Sequence, residues 1–228
     1  MKKLLVLLLA VTITSVCVAC GNNDGGNAGA MDEVNTEATS DSEESTENTE
    51  STENADGAEI SAEINEANDI LANAWAQYNA TVSEDLKFPV GGGNGEEMVM
   101  DTSAKFDTTL EGAQDVLTAT YCASADFVAK TDDIATMMNM MMSNNFTSAA
   151  YHVTDAANVE GSVAELKDAM LNNQWMCGIP EKFIIVTVGE NYVVSAYGNA
   201  QVIDAFNAAI AAIYGDAAVV AVEESLAQ

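Results

Sequence analysis

Three kinds of side chain in this 228-residue sequence offer chemistry beyond that of an ordinary surface: cysteine, methionine and histidine. Cys122 and Cys177 lie far along the chain, where two cysteines of an exported domain suit a disulfide. Two buried free thiols are the plainer arrangement, and a reactive Cys177 beside Pro180 is a third. Met137, Met138, Met140, Met141 and Met142 crowd one stretch, and Met176 adjoins Cys177. Soft thioethers suit Cu(I), which makes Met138, Met141, Met142 and Met176 the candidate metal ligands. Helical spacing spreads them around the axis, however, and packing is the commoner use of methionine. His152 is the only histidine, so it would have to be the base for any serine or cysteine nucleophile. Carboxylates are so abundant that no pair stands out as an acid–base couple. Neither a His-Glu-x-x-His pattern nor an EF-hand loop is present. This set favours binding over catalysis and implies no cofactor.

The other two cysteines belong to the N-terminus. Lys2 and Lys3 precede an almost wholly apolar run from Leu4 to Val16, followed by Cys17-Val18-Ala19-Cys20-Gly21. The layout is that of an export signal, and the run is short of the roughly 20 apolar residues of a membrane span. Val18 and Ala19 before Cys20 resemble a bacterial lipobox, although leucine is commoner where Cys17 stands. That resemblance implies cleavage after residue 19, diacylglycerol on Cys20, and a domain held at the outer face of the cytoplasmic membrane. Residues 20–58 follow with no basic residue and eleven acids, Asp24, Asp32, Glu33, Glu37, Asp41, Glu43, Glu44, Glu47, Glu50, Glu53 and Asp56. Such a segment buries too little apolar surface to offset its ordering entropy and reads as an extended tether.

Residues 59–228 suffice for one well-buried domain. Its basic residues are Lys87, Lys105, Lys130, Lys167 and Lys182, and the whole chain has formal net charge -29. Nucleic acid is therefore excluded as a partner, because it requires clustered positive charge. The expected partners are the membrane, through the lipid, and a protein or peptide.

Periodicity supplies the scaffold. Ile60, Ile64, Ala67, Leu71, Ala74, Trp75 and Tyr78 predict a helix over about 58–80, capped by Asp56 and Glu59. Pro89 and the run Gly91-Gly92-Gly93-Asn94-Gly95 read as a flexible turn; without a following Lys-Ser or Lys-Thr it is no phosphate loop. A helix over 109–118 would use Thr108 and Glu111 as a capping box. Another would begin after Thr131, with Asp132 and Asp133 at its positive end and Ile134, Met138, Met141 and Met142 on its apolar face. Phe146 to Thr154 is strand-like and contains His152. Ser162 and Glu165 suggest a helix to about Asn172, with Val163, Leu166 and Met170 inward. Residues 183–188 and 192–197 form a hairpin across Gly189-Glu190-Asn191. Asn199 then caps a helix carrying Val202, Ile203, Phe206, Ile210 and Ile213, which ends at Gly215. Residues 217–222 read as either strand or helix. The fold class is α+β, with helices on a small, mostly antiparallel sheet.

With these elements in place, the domain resembles uncharacterised lipoproteins of clostridial gut bacteria. The resemblance rests on the Phe88-Pro89 loop and its glycines, Phe146-Thr147, Tyr151-His152-Val153, Trp175-Met176-Cys177-Gly178-Ile179-Pro180 and Asn191-Tyr192-Val193-Val194. Relatives of this kind are sometimes labelled bacteriocin transport accessory proteins, which implies a role beside peptide export. Gly178-Ile179-Pro180, the hairpin and the final helix are also similar to the C-terminal half of thioredoxin. That similarity implies a thioredoxin-like alternative for the fold, a cis peptide at Pro180 and an envelope thiol protein. The domain lacks the Cys-x-x-Cys pair on which thioredoxin exchange depends, since the spacing Cys17 to Cys20 straddles the cleavage point.

Overall fold

The computed structural model describes residues 61–95, 98–175 and 178–226. Cys17, Cys20, the acidic tether, Met176 and Cys177 lie outside the described residues. Among the described residues, no helix is long and apolar enough to cross a membrane.

Helix α1 (Ala67–Thr81) buries Ala67, Ile70, Leu71, Ala74, Trp75 and Tyr78 along one stripe, as three- and four-residue spacing requires. It starts later than its apolar pattern suggests. The Asp69 carboxylate reaches back to accept from the N–H groups of Asn65 (2.7 Å) and Glu66 (3.1 Å), which closes the first turn there and excludes the residues before it.

Short strands β1 (Val90–Gly92), β2 (Val99–Met100) and β3 (Ala104–Lys105) follow. The glycine run is therefore only partly a turn: Gly91 and Gly92 are buried strand residues. Glycine is required at 92, where a Cβ would stand 2.3 Å from the Ala104 nitrogen and 2.5 Å from the Thr136 carbonyl oxygen. Helix α2 (Ala113–Tyr121) begins after Gly112 in the left-handed conformation. The expected Thr108–Glu111 box does not form, because Asp107 accepts from Thr109 N (2.8 Å) and Oγ1 (2.6 Å) and turns the chain there. A short helix α3 (Ala125–Val128) is capped by Ser124.

Strand β4 (Thr131–Asn139) corrects the expectation of a methionine-rich helix. Ile134 and Met138 pack on one side and Ala135 and Met137 on the other. A strand covered on both faces is apolar at consecutive positions, and here the four-residue spacing of Ile134 and Met138 imitates a helical stripe. Strand β5 (Phe146–Val153), helix α4 (Val159–Leu171), the hairpin of β6 (Lys182–Val188) and β7 (Tyr192–Gly198), and helix α5 (Ala200–Tyr214) follow. Helix α4 begins three residues before Ser162, leaving that residue inside the helix, its buried hydroxyl unpartnered. The chain then forms strand β8 (Ala218–Ser225), resolving the ambiguous C-terminal stretch as a strand.

The strands form one eight-stranded sheet in the order β2-β1-β4-β5-β7-β6-β8, with β3 beside β1 along β4. Every pairing is antiparallel. Helices α1 and α5 cover one face, and α2, α3 and α4 the other, so the fold is α+β in three layers. The expected hairpin and the helix after it are both present. No cis peptide bond occurs among the described residues. The Ile179–Pro180 bond is trans, the ordinary preference of an X–Pro bond.

Candidate functional site

Strands β4, β5, β6 and β7 give the sandwich two distinct ends. At one, β4 leaves through Met140–Met142 and the turn Ser143–Asn145, α4 leaves through Asn172–Glu181, and β7 passes through Gly198 into α5. Asn139 Oδ1 accepts from the N–H groups of Met141 (2.8 Å) and Met142 (3.1 Å). The pinned turn throws both thioethers outward, so Met141 is 84 % and Met142 64 % exposed. Asn144 Nδ2 donates to the Gly178 carbonyl and ties the two long connections together. Asn199 N donates to the Asn145 carbonyl (2.9 Å). Glu181 is committed to the start of α5, accepting from Asn199 Nδ2 (3.0 Å) and Ala200 N (2.9 Å).

Two hollows adjoin at Asn144. One, of about 320 Å³, is lined by Ala119, Thr120, Ser143, Asn144, Asn173, Gln174, Trp175 and Tyr197. The other, of about 210 Å³, is lined by Met142, Asn144, Asn145, Gly178, Ile179, Pro180, Glu181 and Asn199. Tyr197 donates to the Thr120 carbonyl (2.8 Å), and the Trp175 ring stands edge-on to it with centroids 4.8 Å apart. Ile179, 66 % exposed, joins Met141 and Met142 as apolar surface on the rim. Among the described residues, the only ionisable side chain in the two linings, apart from the buried Tyr197 hydroxyl, is the Glu181 carboxylate, engaged at the start of α5. Apart from that carboxylate the described lining is uncharged and rich in side-chain amides, each supplying donors and an acceptor.

The structure brings together Met142 and Pro180, which line the same hollow, and sets Met141 in the adjoining turn. It separates Met138, which packs against the core on β4. The expected methionine face therefore does not exist as one cluster. Among the described residues, no group of three His, Cys, Asp or Glu side chains is placed to hold a metal. Cys122 ends α2 in the left-handed conformation (φ 57°) and is buried, with Asn173 Nδ2 donating to its sulfur (3.4 Å). Burial pushes its thiol up to about 12, far from the thiolate that exchange chemistry needs. Iodoacetamide at pH 8 is expected to leave Cys122 unmodified in the folded chain and to label it in denaturant, as read by peptide mass spectrometry after complete reduction. Rapid labelling of the native protein would contradict this environment.

His152 lies at the other end of the sheet. A bulge between Thr131 and Asp133 in β4 inserts Asp132, and its Oδ1 meets His152 Nδ1 at 2.6 Å. His152 also packs on Tyr192, with ring centroids 4.8 Å apart. Asp133 Oδ2 accepts from Ala67 N (2.7 Å), and Oδ1 pairs with Lys105 (2.8 Å). This carboxylate caps α1 from another element. Burial would raise its pKa, but the Lys105 ammonium and the Ala67 N–H outweigh burial and hold it below its ordinary 3.8. A depressed folded pKa means that this stabilisation is present above about pH 4 and is lost as pH falls through the folded value. Asp133→Ala is expected to cost about 1–2 kcal/mol at pH 7, with the difference from wild type shrinking in urea melts toward pH 3.

Asn144, Asn173, Trp175 and Asn199 line the hollows without having stood out among the reactive residue types. The available signal was two amide-rich runs, Ser143-Asn144-Asn145 and Asn172-Asn173-Gln174, each between regular elements. No protein-family model, no curated protein and no solved structure matches the chain.

Proposed function

We propose that this protein is a cell-surface lipoprotein, anchored through Cys20, whose domain binds an extended peptide segment without catalysing a reaction. One observation carries the reading: two adjoining, amide-lined hollows share Asn144, with the exposed Met142 and Ile179 in one lining and the exposed Met141 in the adjoining turn. Side-chain amides match the alternating donors and acceptors of a peptide backbone. Flexible thioethers accept side chains of varied shape. The chain enters α1 at the His152 end, and β4 spans nine residues to the hollows, about 30 Å at strand rise. The resemblance to proteins beside peptide export points to the same class of partner.

The test is binding of the whole chain to an array of terminally blocked nonapeptides, with a parallel assay for peptide cleavage. A subset of uncharged sequences should bind, Trp175→Ala should lose at least about tenfold in affinity, and no peptide should be cut. Turnover lost on changing His152 or Cys177 would replace this reading with an enzymatic one.

A further inference from the structure

We propose that a second site, the cleft between β3, α3 and the start of β4, binds a small organic cation: an amine carrying an apolar body. The cleft has a volume of about 490 Å³, within the usual range for small-molecule sites. Phe106, Val128 and Ile134 supply its apolar wall, and Asp107, Asp132 and Asp133 its carboxylates. It lies at the end of β4 opposite the amide-lined hollows and does not depend on the peptide reading.

The chemistry of the ligand follows from what the carboxylates already do. Asp133 is spent on Ala67 and Lys105. Asp132 gives one oxygen to His152, and its second has no protein partner among the described residues. Asp107 accepts hydrogen bonds from Thr109 that hold its carboxyl below the ordinary value, and Thr108 and Thr109 add hydroxyl groups beside it. An anion is disfavoured because the one ammonium in the lining, Lys105, is already neutralised. A metal ion is disfavoured because the carboxylates do not converge as a ligand set among the described residues. Lys105 shows what the wall attracts: its ammonium is drawn onto Asp133, and that hydrogen bond raises its pKa. Every lysine of the domain is likewise paired with a carboxylate. The remaining surface field is negative and would concentrate cations at the cleft.

The test is calorimetric titration of the whole chain with 2-phenylethylamine. The neutral isostere 2-phenylethanol, MgCl2 and the blocked tripeptide acetyl-Gly-Lys-Gly-amide are parallel arms. Saturable amine binding is expected, weaker by at least about tenfold for the alcohol and in Asp107→Asn and Asp132→Asn. Each variant should remain folded with a cooperative melt, since both carboxylates are exposed and an amide oxygen can still accept the hydrogen bonds made to them. Tighter binding of the tripeptide than of the free amine would assign the cation to a lysine side chain of a partner, within the same chemistry. No saturation, equal binding of the alcohol, unchanged affinity in the double variant, or Mg²⁺ binding without amine binding would each overturn the proposal.

Discussion

Gly198→Ala is expected to destabilise the protein by about 3 kcal/mol or more, the overpacking cost of a methyl group forced against backbone. A Cβ at this position would stand 2.1 Å from the Asn145 carbonyl oxygen, 2.6 Å from its carbon and 3.0 Å from Phe146 Cα. No rotamer relieves such a clash. The chain must open where β5 meets β7, in the register Phe146↔Gly198. The same junction carries the Asn199 N to Asn145 O bond that holds the amide-lined end together. Peptide affinity should therefore fall with stability. Gly161→Ala is the matched control: it lies in helix α4 with open space where its Cβ would be, and alanine there should add about 0.5–1 kcal/mol. Urea unfolding midpoints measure both changes, and equal effects at the two positions would refute the steric argument.

Phe146→Ala should cost about 3–5 kcal/mol, the range for emptying a large aromatic site in a core. Phe146 is fully buried and stands among Phe206 (ring centroids 5.0 Å), Phe88 (5.6 Å) and Trp75 (5.8 Å). These rings come from α5, the segment before β1, and α1, so the cavity would loosen the whole layer on that face. Denaturant unfolding followed by Trp fluorescence measures the loss, since Trp75 lies against the vacated space. A cost below about 1 kcal/mol would mean that the neighbours collapse to fill it. Because Phe146 and Gly198 are direct cross-strand partners, the double variant should depart from additivity.

The same junction shows how far the residues alone disclose this fold. The hairpin of β6 and β7 and the helix after it were legible, because apolar runs were bounded by Gly189-Glu190-Asn191 and by Asn199, whose side chain caps α5 as expected. Strand β4 was not legible. A strand in mid-sheet under two helical layers has no polar face, so it loses the alternation that marks a half-exposed strand. The methionines continuing past Asn139 then extended an accidental helical spacing. Helix starts failed for a related reason. Thr108 with Glu111 and Ser162 with Glu165 have capping-box spacing, yet Asp107 and the turn after Asp155 close the chain elsewhere. The candidate site was visible only in part. Met142 and Pro180 stood out by chemical type, whereas Asn144 and Asn173 matter because two connections far apart in sequence meet, and no local pattern reports that meeting.

Hydrogen–deuterium exchange of the whole chain, with and without the tightest-binding array peptide, tests the location of the peptide site most directly. Binding should slow exchange at Met140–Thr147 and at Asn172–Glu181 while leaving Lys105–Thr109 and Thr131–Asp133 unchanged. Protection confined to the His152 end, or absent from both connections, would contradict the account.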